Sequence, residues 1–465
     1  MVYEKVKLQV KDFLRKTTKL LLGMDVNEMI QSRAARDVTG SLVLRIVNRL
    51  LQIGLAILIA RILPLKEFGL YSLVMAWVVV LSVPALVGTP QFVQREIAVA
   101  KSRKQWGKLK GIFRWSTHIV LTGSSVISAV AICCVFAVMS FLNPERVAFL
   151  LGFIFIPATV LAQLWQAQLR GWGAILAGQV PDAIIRPVLF ALILLLAVTL
   201  APSIGVSATS ALLIQGVVVL VVLGVTAALK FRHVQIPEHT LPEMESWIWL
   251  RLSSWFTLLS GLAILNNQIG ILMVGAISGK SDAGLFTVAV KGADSLIVGF
   301  AAANMALAPR MAAFYHERKL EKLQAMILRT YRAVALLTLP VLLIFIFWGN
   351  HVLMVFGSEY VIAWPVLVVL SSAQFVNVLA GPVGNMLSMA GHERVTAFGV
   401  AVSVLVIVGL GLILIPTMGI LGAAIATATG MVTWNVLLVA LCYKRLGIWT
   451  PVIGIGFVRT MRKRN

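Results

Sequence analysis

Residues 395–443 read VTAFGVAVSVLVIVGLGLILIPTMGILGAAIATATGMVTWNVLLVALCY, forty-nine positions without a lysine, arginine, aspartate or glutamate. About 20 apolar residues carry a helix across the hydrocarbon core of a bilayer. The stretch is therefore too long for one span and reads as two, 395–415 and 419–443. The same reading along the chain finds ten more, at 38–60, 69–89, 115–140, 147–167, 179–200, 206–229, 250–276, 284–308, 333–349 and 361–382. Nothing alternates as a barrel strand does, and an open sheet cannot span lipid. The expected fold class is all-α: a polytopic membrane protein of about twelve transmembrane helices.

Composition agrees. Apolar residues make up 59% of the 465, charged residues 12%, and mean hydropathy is +0.94. Soluble domains carry about a quarter of their residues charged, so a water-soluble fold is excluded. The net charge of +22 would suggest nucleic acid in a soluble protein, so the positions of the cations decide. Twelve spans return both termini to one side. Of the 40 Lys and Arg, 32 fall in the two tails and the loops of that side, four (Arg61, Lys66, Arg146, Lys280) in the opposite loops, and four within spans. This is a positive-inside signal. It predicts cytoplasmic termini in a bacterial inner membrane and no nucleic-acid partner. Trp106, Trp115, Trp172, Trp247, Trp249, Trp348 and Trp449 fall near span ends, as an aromatic belt would.

Residues 1–37 are basic yet carry Val6, Val10, Phe13, Leu14 and Leu20 to Leu22. They read as an interfacial amphipathic helix, with a partly ordered basic tail as the alternative. Their charge is too high for a cleaved signal peptide, so the mature chain is expected to start there.

The two halves resemble each other. ILIARILPLKEFGLY at 57–71 aligns with ILMVGAISGKSDAGLF at 271–286, pairing Leu58 with Leu272, Lys66 with Lys280, Gly69 with Gly284 and Tyr71 with Phe286. GVSATSALL from Gly205 echoes GAAIATATG from Gly422 at nearly the same offset. Six spans per half insert both halves the same way up, which predicts parallel repeats with a cavity between them. The expected organisation is an N-lobe at 38–229, a linker at 230–249, a C-lobe at 250–443 and a basic C-tail from 444.

No GxxxxGK[ST] or GxSxG occurs, and the loops opposite the termini are short. Cys133, Cys134 and Cys442 have neither zinc nor disulfide-framework spacing, and the six histidines form no HxH or HxxxH pair. No catalytic residue, metal or cofactor is expected; the chain reads as a transporter rather than an enzyme. Ionisable groups inside spans are candidates for function. Arg45 and Arg49 share a helix face with Asn48 beside them, Asp182 and Arg186 lie four apart, and Lys291 and Asp294 three apart. Asn266, Asn267 and Gln268 interrupt the seventh span. The candidate substrate-binding set is Arg45, Asn48, Arg49, Arg186, Asn266, Gln268 and Lys291, with Asp182 and Asp294 as ion-coupling or counter-charge groups. Net positive charge suits an anionic headgroup, and the arginine fork suits phosphate. The alternatives are self-neutralising helix pairs, snorkelling by Arg45 and interhelical hydrogen bonding by the Asn-Asn-Gln run. Pro84, Gly88, Pro157, Gly381, Pro382 and Gly384 mark kinks, read either as hinges or as static packing.

At these residues a resemblance emerges. ARILPLKEFGLYSL, PQFVQREIA, SGLAILNNQIGILMVGAISGKSDAGLFTVA, APRMAAFY, GPVGNMLSMAGHERV and IPTMGILGAAIATATG resemble the polysaccharide transporter family, the Wzx-type flippases of O-antigen, capsule or exopolysaccharide units. That family lies within the multidrug/oligosaccharidyl-lipid/polysaccharide superfamily. The resemblance covers roughly 38–445. It implies two six-helix bundles around a central cavity, with alternating access. Its implied substrate is an undecaprenyl-diphosphate-linked oligosaccharide moved from the cytoplasmic to the outer leaflet. Membrane lipids, the polysaccharide polymerase and the chain-length machinery are the further partners. Relatives often carry an acidic residue where this chain has Gly270, which would leave any ion coupling to Asp294 or Asp182. The rival readings are a lipid II-type flippase, a cation-coupled multidrug antiporter of the same superfamily, and a scaffold or glycan polymerase.

Overall fold

The structure is a computed structural model that describes residues 33–140, 143–200, 205–237 and 240–453. Residues 1–32 of the expected amphipathic segment 1–37, and the C-tail beyond 453, lie outside them. Among the described residues the chain is helical, with no strand. The first half runs α1 (Arg33–Ile62), α2 (Leu65–Leu86), α3 (Thr89–Ser102), α4 (Trp106–Val138), α5 (Glu145–Ile154), α6 (Ile156–Trp172), a π-helical turn (Pro181–Ile185), α7 (Arg186–Leu200) and α8 (Ala208–His233). The second half runs α9 (Ser246–Ile277), α10 (Lys280–Ser295), α11 (Val298–His316), α12 (Leu320–Met354), a 3-10 turn (Ser358–Ala363), α13 (Trp364–Ala380), α14 (Val383–Met389) and α15 (Glu393–Leu446).

Ten continuous stretches are long and apolar enough to cross a membrane, and α10 with α11, bent by 50°, makes an eleventh. One of the ten is α15, whose 54 residues include Gly419 at φ 58°, ψ −134°. Its two arms touch: a Cβ on Gly399 would lie 2.7 Å from Leu438, and one on Gly430 2.5 Å from Ile407. In a straight helix positions 399 and 438 would be roughly 58 Å apart. The uncharged run is thus a helical hairpin folded at Pro416–Gly419, and the chain has twelve spans.

The loops of the terminal side are more ordered than a count of spans implies. Residues 90–114 were expected to form a loop. Instead they hold α3 and the first turns of α4, bounded by left-handed backbone at Gly88 (φ 61°) and Lys104 (φ 55°). Phe92, Val93, Ile97 and Ala100 bury one face of α3. The 309–332 segment likewise continues α11 and begins α12. The aromatic-belt reading also needs correction. Trp115 and Trp249 are buried and meet edge to face at 5.5 Å, and Trp172 packs on Trp106 and Phe113. Of the seven, Trp247 (77% exposed) and Trp348 (58%) alone stand out as a belt requires. Trp249 joins the N-lobe core, and Glu243 N–H donates to the Gly107 carbonyl at 3.1 Å, so the linker is folded onto the N-lobe.

The lobes meet along α2, which runs beside α9 and α10. Gly69 and Gly284 are face to face there: a Cβ on Gly284 would lie 3.1 Å from the Leu65 carbonyl and 3.2 Å from Gly69 Cα. Small residues allow such close backbone approach between membrane helices. These two are one of the pairs matched by the internal repeat.

Candidate functional site

Helix α1 lies between the lobes, against the π-helical turn and α7 on one side and α10 and α11 on the other. Its polar residues recur at helical spacing, Arg45, Asn48, Arg49 and Gln52, so they line one stripe. Three cavities border that stripe. Two adjoin the N-lobe, of about 330 and 290 Å³, and share Asn48 and Asp182. The third, about 710 Å³, adjoins the C-lobe and shares Arg45 with the first.

The N-lobe cavities are organised by two arginines. Arg186 pairs with Asp182 at 3.0 Å. With the Gln215 amide turned so that its oxygen faces the guanidinium, Gln215 accepts from Arg186 Nε and Nη2 at 3.1 Å. Asp182 sits in the π-helical turn, whose wider coil re-aims side chains in a way common at functional sites. Arg170 lines the first cavity; its Nη1 donates to the Gly178 carbonyl at 2.9 Å and its Nε to Gln94 at 3.3 Å. Gly173 at φ 98° closes α6 and turns the chain back toward that arginine.

In the C-lobe cavity Arg49 reaches across the lobe interface. Its Nη2 lies 3.5 Å from the Asp294 carboxylate and donates to the Asp294 carbonyl at 3.2 Å. Gln374 donates to the same carboxylate at 3.1 Å. Asp294 was expected beside Lys291; it pairs instead with an arginine 245 residues away. Lys291 is exposed to the cavity and makes no ion pair among the described residues. Asn266 and Gln268 line this cavity too, and Asn266 Oδ1 is buried without a partner. Arg45 points its Nη1 at Met305 Sδ, 2.7 Å away. A Cβ on Gly270 would lie 3.0 Å from the Phe286 ring and 3.1 Å from Thr427, a packed position.

The candidate residues therefore fall into two groups on either side of α1. Asn48, Asp182 and Arg186 belong to the N-lobe group, Arg49, Asn266, Gln268, Lys291 and Asp294 to the C-lobe group, and Arg45 touches both. Five cations and two aspartates line the three cavities. The fifth cation, Arg170, counts as a loop residue in the sequence. One signal could have found it: Gln163, Gln166 and Arg170 are spaced three and four apart and form a polar stripe on an otherwise apolar helix. Gln374 and Asn377, three apart on α13, carry the same signal in the C-lobe. Among the described residues no group of three or more His, Cys, Asp or Glu could hold a metal ion.

One end of the interface is closed. There Lys280 pairs with Glu145, Arg61 Nε donates to the Val355 carbonyl at 2.6 Å, and Tyr360 donates to the Ala60 carbonyl at 3.3 Å. This is the cation-poor end. The cavities lie deeper, toward the cation-rich end, where Gln91 donates to Ser260 at 3.1 Å across the lobes.

Residues 34–315 match the family described as polysaccharide biosynthesis protein. Among curated proteins none matches the sequence significantly. Solved structures match over most of the chain. An inward-facing multidrug resistance MATE family transporter of the MOP superfamily is 16% identical with a TM-score of 0.68, covering 86% of this chain and 94% of its own. A MOP superfamily transporter from Pyrococcus furiosus, described as having a binding pocket of reverse polarity, is 16% identical with a TM-score of 0.64, at 90% and 97% coverage. The lipid II flippase MurJ, in an inward closed conformation, is 11% identical with a TM-score of 0.65, at 86% coverage of each chain. The fold is that of these transporters.

Proposed function

The chain belongs to the polysaccharide biosynthesis protein family, and on that premise we propose that it is a flippase for an undecaprenyl-diphosphate-linked oligosaccharide. The observation that carries this reading is the set of five cations against two aspartates around cavities at the lobe interface. A diphosphate brings negative charge and several acceptor oxygens. Arginine answers both with a fixed fork of donors. The amides of Asn48, Gln94, Gln166 and Gln179 add sugar-type hydrogen-bonding groups beside the cations. A pump for cationic drugs would want the opposite sign of charge.

The positive-inside bias supports placing both termini in the cytoplasm, in the inner membrane of a bacterium. The N-lobe is 38–229, the linker 230–249 and the C-lobe 250–443. In that orientation the closed end faces outward and the cavities face the cytoplasm, where the substrate is made. Alternating access then needs the closed end to part and the cation-rich end to close. The polymerase and chain-length machinery would receive the product. No catalytic residue or cofactor is required.

The test is reconstitution of the full chain in liposomes with a polyprenyl-diphosphate oligosaccharide and a lectin that reads only the outer leaflet. Wild-type protein should move the glycan, and Arg186→Glu should slow it at least tenfold with unchanged yield. Full transport by Arg186→Glu would overturn the diphosphate assignment. Lipid II and ethidium, run in parallel, separate the peptidoglycan-precursor and drug readings.

A further inference from the structure

On another face α1 carries a second stripe, an apolar one. Val47, Leu51, Gly54 and Leu58 follow one another at helical spacing and face Val188 and Leu192 of α7 across an apolar groove of about 440 Å³. Leu50 and Leu192 are 61% and 52% exposed at its rim. Exposed apolar side chains are ordinary on a membrane-spanning surface, so exposure alone assigns nothing. Three features set this groove apart.

First, it adjoins the polar site. Leu55 and Pro187 line both the groove and the N-lobe cavity that holds Arg186, so a single layer of side chains between α1 and α7 separates a charged chamber from an apolar channel. That is the shape of an amphiphile with an anionic head and a hydrocarbon tail. Second, its direction is right. From Val47 to Leu58 the groove runs about 16 Å along α1, starting at the depth of Arg45 and Asn48 and heading for the closed end. A hydrocarbon core is about 30 Å thick, so the groove matches one leaflet, and a lipid whose head sits on the cations points its tail this way. Third, Gly54 lies in the helix interior with ordinary φ, and a Cβ built on it meets nothing within 4 Å. Glycine there is less favourable to the helix than alanine, and no turn or close contact requires it. What it supplies is room.

The opposite side of α1 is pinned by side chains. Arg49 on Asp294 and Arg45 against Met305 tie α1 to α10 and α11 there.

We infer that the α1–α7 groove seats the polyprenyl chain of the substrate while its diphosphate occupies the adjoining cavity. This rests on the flippase reading above. The test is Gly54→Trp, whose Cβ meets no neighbour and whose ring occupies part of the groove, assayed in the same liposomes with two substrates sharing one head: a long polyprenyl chain and a ten-carbon chain. Transport of the long-chain substrate should fall at least tenfold and that of the short-chain substrate less than twofold. Leu220→Trp, a lipid-facing change on α8, should alter neither. Equal rates for wild type and Gly54→Trp on the long chain overturn the groove assignment. So does an equal loss on both chains. If wild type moves neither substrate, the flippase reading fails instead. A long chain carrying a terminal diazirine should label α1 or α7, and a hundredfold excess of ordinary phospholipid should not compete. Labelling that the phospholipid abolishes marks the groove as an annular lipid site and overturns the assignment.

Discussion

At the closed end the lobes meet backbone to backbone, Gly69 on Gly284, whereas about 15 Å deeper along α10 they meet through side chains, Arg49 on Asp294. The first contact has no slack. Two helices at glycine distance either touch or part, and packed interfaces are bistable rather than deformable. The second contact is exchangeable, because a guanidinium held by one carboxylate and one carbonyl can be taken by a better anion. The diphosphate of the proposed substrate is such an anion. On that proposal the glycine contact sets the state of the lobes and the arginine contact senses what lies between them.

Gly69→Leu should break that comparison most severely. The new Cβ overlaps the Lys280 carbonyl, and no rotamer relieves a clash at Cβ. Overpacking costs typically 1–3 kcal/mol, and about 3 kcal/mol shifts an open–closed ratio more than a hundredfold. The check is maleimide labelling of Ala283→Cys in a background without native cysteines. Position 283 is fully buried, so it should be protected with Gly69 and labelled with Leu. Continued protection would mean that the glycine pair does not set the state.

Arg49→Ala comes next. It leaves Asp294 with Gln374 and, as a cation, only the more distant Lys291. Stranding a partly buried charge costs about 2 kcal/mol, and reconstituted transport should fall at least tenfold. Arg49→Lys should recover part of that, because the charge returns without the two-point contact. A wild-type rate for Arg49→Ala would leave this bridge no part in transport.

The same contrast explains what could be read from the sequence. Spans were legible because hydrocarbon demands a long apolar run: the forty-nine uncharged residues of 395–443 admit only a hairpin. The match of Gly69 with Gly284 was legible as a repeat, and the structure brings the two into contact. Side-chain partners were not legible. Helical spacing put Lys291 beside Asp294, yet the partner is Arg49 from the other lobe, which no local rule reaches. Arg170 was masked by its place in a short loop of the terminal side, where topology accounts for a cation, and only its stripe with Gln163 and Gln166 marked it; the turn at Gly173 brings the Gly178 carbonyl back to it. Trp115 and Trp249 lay where a belt should be, but their burial depends on a linker folding back.

Two smaller changes sharpen the comparison at the closed end. The Ala60 carbonyl would accept from position 64 in a continuing helix, but that residue is Pro64 and has no N–H. Tyr360 supplies the missing donor at 3.3 Å, while its ring meets Phe68 edge to face at 5.9 Å. Tyr360→Phe keeps the ring and leaves the carbonyl unsatisfied, so it should favour opening by about 1 kcal/mol, roughly fivefold in the labelling ratio at position 283. Lys280→Ala should do least. Its pair with Glu145 is about one fifth exposed on each side, and ion pairs near water contribute about 0–1 kcal/mol. The expected change is about twofold, and it should shrink as salt rises from 0.01 to 1 M, because screening at about 3 Å leaves little of such a pair. Exchanging the two residues, Lys280→Glu with Glu145→Lys, should restore protection. If Lys280→Ala instead opened the lobes as far as Gly69→Leu, the closed end would be held by charge, and the glycine contact would be its consequence.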